Sequence, residues 1–189
     1  MRHNARHHLV GLASLCAAAG FLVGLPLVAA DTRASVRAPF QDQLVLAPAA
    51  RTMLMFAGFP GCQGVCPTAL KQLAAVQDLA NRELGDGQLA VVFVNLHLDT
   101  GDAGAAAYAR SFHPDFYGLT ATSSDRAEIN SLLAQTGSRN LAELGRHRGN
   151  VYHYHRTATG WTLARVYPSL PSRASLISDV RETLAAALE

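Results

Sequence analysis

The stretch FAGFPGCQGVCPTAL, residues 56–70, runs from an apolar segment through a Pro-Gly pair into a helical pattern, with Cys62 and Cys66 at the junction. Upstream, TMLMFAGF (52–59) is an apolar run of strand length, closed by Pro60 and Gly61. Downstream of Pro67, apolar residues at Leu70, Leu73, Ala74 and Leu79 predict a helix that stops near Gly85. The two sulfurs therefore sit between a strand and a helix. Their spacing leaves three uses open: a structural bridge, a redox couple or a metal site.

Working outward, QLAVVFVNLHL (88–98) is a continuous β-branched run of the kind expected for a strand buried on both faces. Residues 102–112 read as a helix and YGLTATS (117–123) as a brief strand or strand-like link. DRAEINSLLAQTG (125–137) reads as another helix, with Asp125 as cap and Gly137 as stop. NVYHYHR and WTLARVYP bracket a turn at TATG (157–160), a hairpin signal. Residues 172–189 form a capped helix with Leu176, Ile177, Val180 and Leu184 on one face. Strand, helix, strand, helix, hairpin, helix is an α/β order, and chemistry in open α/β folds collects at the strand edge where the cysteines fall.

The compartment bears on the use of the sulfurs. MRHNARHH followed by an apolar run from Leu9 to Ala30 has the layout of a secretory signal, with Val28 and Ala30 placed for cleavage before Asp31. About 20 apolar residues also span a bilayer, so residues 1–30 read as a signal peptide or an uncleaved N-terminal anchor. In both cases the remainder faces outward, which predicts a periplasmic chain. Residues 31–48 read as a tether and lead-in segment, and 49–189 as one globular domain.

Of three cysteines, Cys16 lies in the leader, where a thiol acts as a small hydrophobe, leaving Cys62 and Cys66 for chemistry. A domain of this length builds its core by burial and needs no staple. A bridge across three residues would close too small a loop to stabilise much. The pair is therefore read as chemical. The chain carries 16 Lys+Arg against 14 Asp+Glu, and the surplus is Arg2 and Arg6 in the leader. No net field draws the domain to nucleic acid or anionic lipid; any membrane contact runs through the N-terminal segment.

A thiol near a helix start is favoured as thiolate by unpaired N–H groups and the helix dipole, so both sulfurs are expected to be activated. C-x-x-x-C is one residue longer than the redox C-x-x-C. Four residues make about one helical turn, so both sulfurs can point to one side without being forced into a bridge.

The segment LMFAGFPGCQGVCPTALKQL resembles the SCO/SenC family of exported, thioredoxin-fold copper proteins. Phe59, Cys62, Val65, Cys66, Pro67, Thr68 and Leu70 match its motif, while Gln63 and Gly64 depart from it. FVNLHLDTGDAGAAAYARSFHPDFYGLTAT continues the likeness through Tyr108, Phe112, His113, Pro114, Gly118, Leu119 and Thr120, and the similarity runs from about residue 40 to 189. The resemblance implies a thioredoxin-like α/β fold, a central mixed sheet flanked by helices.

It also implies copper, held by the two cysteines and a histidine a few residues before a strand. HRGNVYHY puts His147 at that place, with Arg146 and Arg148 beside it instead of the family's aspartate and serine. His153 and His155 compete, since both face one side of their strand. His113 is read as a structural loop residue. Asp99 occupies the region of a family aspartate near the site, with Asp102 as its alternative; either could instead cap the next helix. Two thiolates and an imidazole suit Cu(I), with Cu(II) completed by Asp99 or water, and the same ligands could hold zinc. The implied role is a metallochaperone serving the copper centre of cytochrome c oxidase subunit II or another cuproprotein. The alternative is a thiol-disulfide oxidoreductase cycling Cys62 and Cys66 with thiol partners. A peroxiredoxin-like reading ranks last, because its P-x-x-x-[TS]-x-x-C spacing precedes neither cysteine.

Overall fold

The protein is seen here as a computed structural model that describes residues 38, 46–97, 101–122, 130 and 149–186. The first strand, β1 (Thr52–Gly58), takes the middle of a five-stranded sheet. Its side chains alternate between two apolar layers, Leu54 and Phe56 in one, Met53 and Met55 in the other. Helix α1 (Val65–Leu84) returns the chain to β2 (Leu89–Asn95), which pairs parallel with β1 and is buried along its whole length. Helix α2 (Gly101–Arg110) leads to β3 (Tyr117–Thr120), parallel to β2. β4 (Val151–Thr157) lies antiparallel on the other side of β1, and β5 (Gly160–Tyr167) closes the hairpin. Helix α3 (Arg173–Ala186) follows. The order across the mixed sheet is β3-β2-β1-β4-β5.

The layer with Leu54 and Phe56 is completed by Leu70, Leu73 and Val76 of α1 and by Leu176, Ile177 and Val180 of α3. These recur at three- and four-residue spacing and form one face of each helix. Ser172 Oγ accepts the amide of Ser175 at 3.2 Å and caps α3, as its sequence predicts. α1 starts at Val65, two residues before Pro67, because the first helical turn has no acceptor for its N–H groups and a proline there forfeits nothing.

Part of the lead-in segment is built into the domain. Ala38 is buried and its amide donates to Trp161 O on the outer side of β5 at 3.0 Å. Ala47 N donates to Tyr117 Oη at 3.1 Å. These are partners far along the chain, which local periodicity does not report. The helix read at 125–137 lies outside the described residues except Asn130, which is helical. Residues 1–30 also lie outside them; among the described residues no helix is long and apolar enough to cross a membrane.

Candidate metal centre

Phe59 O accepts the amide of Cys62 at 3.3 Å, closing a turn with Pro60 second and Gly61 third. Gly61 has φ 91°, the left-handed conformation a type II turn demands at that position. The turn reverses the chain at the end of β1 and delivers Cys62 to the start of α1. Cys66, the second residue of α1, is fully buried, whereas Cys62 is partly exposed, and both are free thiols. A Cβ on Gly58 would lie 2.9 Å from Cys66 Sγ, 3.0 Å from Phe56 and 3.3 Å from Phe93. The last residue of β1 thus leaves the space that the inner sulfur fills.

The two sulfurs differ sharply in acidity. Partial burial pushes the Cys62 thiol up. A hydrogen bond from the Cys66 thiol and others from the amides of Cys66, Gly64 and Val65 outweigh it, and the net direction is down. Cys66 is pushed up to about 12, first by burial, then by the hydrogen bond it donates to Cys62. The expectation that both sulfurs are activated therefore holds for Cys62 alone. The helix start favours a thiolate only where the sulfur reaches the free amides, and Cys66 points into the core. At neutral pH iodoacetamide is expected to modify Cys62 roughly 100-fold faster than Cys66 in the folded chain. Peptide mass analysis checks this, with equal rates in denaturant as control and equal rates in the native chain as the contrary result.

Tyr108 of α2 is a neighbour that motif reading matched without giving a chemical place. Its ring lies 5.1 Å from Phe93 and 5.2 Å from Phe112, centroid to centroid. Burial first, then the charges of Cys66 and Cys62, push its phenol up. Its four-residue spacing to Phe112, within the stretch the sequence reads as a helix, is the readable signal, although α2 ends at Arg110 and Phe112 lies in the turn after it. Gly149, with φ 69°, lies so close to α1 that a Cβ would meet Val65 Cγ2 at 2.5 Å. The chain entering β4 therefore runs directly over Val65, one of the three residues between the cysteines.

His147 and Asp99 lie outside the described residues, and Asp102 is the second residue of α2. His153 is not brought to the cysteines. It pairs in register with Leu54, four residues before Gly58, or about 13 Å along the strand. Its Nε2 meets Thr52 Oγ1 at 2.7 Å and its ring stacks on Tyr167 at 6.5 Å. His155 pairs with Thr52, farther still from the cysteines. His113 is pinned as a loop residue, Nδ1 accepting the amide of Asp115 at 3.1 Å and Nε2 facing Asp78 Oδ1 at 3.3 Å. Among the described residues no three His, Cys, Asp or Glu side chains gather to hold a metal.

The SCO1/SenC family matches residues 46–159, from the lead-in through β4, including the cysteine turn. The chain belongs to the SCO1/SenC family. The human mitochondrial SCO2 homolog is 32% identical over 97 residues, 51% of this chain and 34% of that protein, so the match spans about a third of the relative's length. Among solved structures, Arabidopsis thaliana ScoI with copper bound superposes with TM-score 0.58 at 18% identity, covering 72% of this chain and 86% of that one. Bradyrhizobium japonicum ScoI with copper bound gives 0.54 at 18%, covering 70% and 85%. Yeast Sco1 with copper bound gives 0.53 at 16%, covering 71% and 78%. At these identities the likeness carries the fold, the thioredoxin-like α/β arrangement of the SCO family. The copper belongs to those three proteins.

Proposed function

We propose that this chain is an exported copper carrier that holds Cu(I) through Cys62, Cys66 and His147 and assists copper-centre assembly in cytochrome c oxidase subunit II or another cuproprotein. The observation that carries the reading is the sulfur pair itself: two thiols hydrogen-bonded to each other at a helix start, one partly exposed. Thiolate donors select a soft monovalent ion over hard cations. Coordination at Cys66 displaces the proton now shared with Cys62, so uptake releases protons and tightens as pH rises. His147 is two residues from Gly149, which touches Val65, and two peptide units reach about 7 Å at most. That reach supports His147 as the third donor. Asp99 or water would complete the set for Cu(II). The leader at 1–30 supports a periplasmic location, free or anchored to the inner membrane.

The unequal thiols also favour a second reading. A partly exposed Cys62 of lowered pKa is placed to attack a partner's disulfide, and Cys66 to resolve the mixed disulfide, which makes the chain a thiol-disulfide reductase. Titration of the reduced full chain with Cu(I) against a competing chelator separates the two. One ion per reduced chain, and none after oxidation to the Cys62–Cys66 disulfide, is the expected result. A reduced chain that takes no Cu(I) yet exchanges disulfides leaves only the second reading.

A further inference from the structure

Tyr108, in the last turn of α2, carries a hydroxyl that the fold does not employ. Among the described residues that hydroxyl makes no hydrogen bond, and Ser111 Oγ donates to the Tyr108 carbonyl instead. The ring is nevertheless held firmly. It packs at 5.1 Å on Phe93 and at 5.2 Å on Phe112, centroid to centroid. The helix beneath it is seated by Gly118, where a Cβ would meet Ala105 O at 2.3 Å. A fixed ring gives its hydroxyl a fixed place.

That place is beside the sulfurs. Phe93 Cε2 and Cys66 Sγ border the same space over Gly58, at 3.3 Å and 2.9 Å from where its Cβ would be, and Tyr108 packs on that phenylalanine ring. Burial, then the charges of Cys66 and Cys62, push the phenol up, so it keeps its proton at neutral pH. It is hydrogen-bonded to neither sulfur. The separation is therefore wider than one hydrogen bond, yet short enough for the thiolate charges to be felt, which leaves room for another atom between them. Cys62 and Tyr108 are both partly exposed, whereas Cys66 is fully buried, so a partner meets the first two.

We infer that Tyr108 donates a hydrogen bond to the sulfur that leaves when Cys62 attacks a partner's disulfide, which makes it a catalytic residue of the exchange and suits the site to alkyl disulfides such as those of protein cysteines. The inference rests on the second reading above and not on copper. In the step, the Cys62 thiolate bonds to one sulfur of the partner, the partner's S–S bond breaks, and its electron pair goes to the other sulfur, which departs as a thiolate. Cys66 then gives its proton to solvent and attacks Cys62 Sγ, releasing the first sulfur as a second thiolate. The chain ends as the Cys62–Cys66 disulfide and the partner as two thiols. Negative charge thus builds on an atom that is neutral in the bound disulfide, and a donor already in place, with no bond in the fold to give up, stabilises it without rearrangement. A thiolate of ordinary basicity leaves slowly, so the help matters for alkyl disulfides and little where the leaving thiolate is already stable.

The test compares the reduced full chain with Tyr108→Phe, which keeps the ring and its packing, at about pH 7. Second-order rates are measured with hydroxyethyl disulfide, whose leaving alkyl thiolate is basic, with dithiobis-nitrobenzoate, whose leaving aromatic thiolate is weakly basic, and with iodoacetamide, which alkylates Cys62 with no sulfur leaving. In Tyr108→Phe the alkyl disulfide is expected to react about tenfold more slowly. The aromatic disulfide and iodoacetamide are expected to change by less than about twofold, at an unchanged melting midpoint. A wild-type rate with hydroxyethyl disulfide, equal slowing with the two disulfides, or the same slowing with all three reagents overturns the inference. A wild-type chain that is alkylated at Cys62 yet reacts with neither disulfide removes the second reading, and the inference with it.

Discussion

Gly118→Ala is expected to destabilise the domain by roughly 3 kcal/mol or more, at the upper end of what overpacking costs. A Cβ at this position of β3 would lie 2.3 Å from Ala105 O, 2.4 Å from Ala105 C and 2.6 Å from Ala106 N. All three atoms are backbone of α2, so no side chain can rotate away and the helix itself has to lift from the sheet. Ala105 and Ala109 are fully buried on that face, and Tyr108, between them, packs on Phe93. Lifting α2 therefore opens the layer next to the cysteines as well. With total stabilities of about 5–15 kcal/mol for such domains, the loss is a large fraction. Denaturant unfolding should show a lower midpoint at unchanged slope. A midpoint within error of wild type would mean that α2 and β3 are not in this contact.

The second large effect is a loss of stability in mild acid traced to His153. Burial lowers its pKa from 6.5 to about 4, although Asp179 pulls the other way. In the unfolded chain the ring takes a proton as pH falls below its ordinary value, while the folded chain excludes that proton until about pH 4. The unfolded state is thus favoured progressively across this window. The contribution is complete above pH 6.5 and lost as pH falls toward 4, amounting to roughly 3 kcal/mol at 1.36 kcal/mol per unit. Unfolding free energies measured from pH 7 to 4 should carry this slope, and His153→Gln should flatten it. The same slope in both proteins would assign the acid limb to other groups.

Much of the architecture was legible because its causes are local. The alternation in Thr52–Gly58, the unbroken apolar run of Leu89–Val94, the turn at 157–160 and the cap at Ser172 each act within a few residues. Pro60 and Gly61 likewise encode the turn that presents Cys62. The inequality of the two thiols was not legible. It depends on Cys66 facing Gly58 and Phe93, residues brought together only by packing of α1 on the sheet. The place of His153 was hidden for a similar reason. Alternation correctly puts it on one side of its strand with His155, but the register of β4 against β1 decides which end of the sheet it serves. Ala38 on Trp161 and Tyr108 beside the sulfurs are further long-range placements. Gly118 was visible as a motif position, and its physical reason, a helix backbone resting on its Cα, emerges only in three dimensions.

The central claim is that two sulfurs and one imidazole from the segment entering β4 share a single Cu(I). X-ray absorption of the Cu(I)-loaded full chain, beside His147→Ala and His153→Ala, tests it most directly. A shell of two sulfurs and one nitrogen, with the nitrogen lost in His147→Ala and kept in His153→Ala, is the predicted result. A shell of sulfur alone, or a nitrogen that survives in His147→Ala, would contradict it.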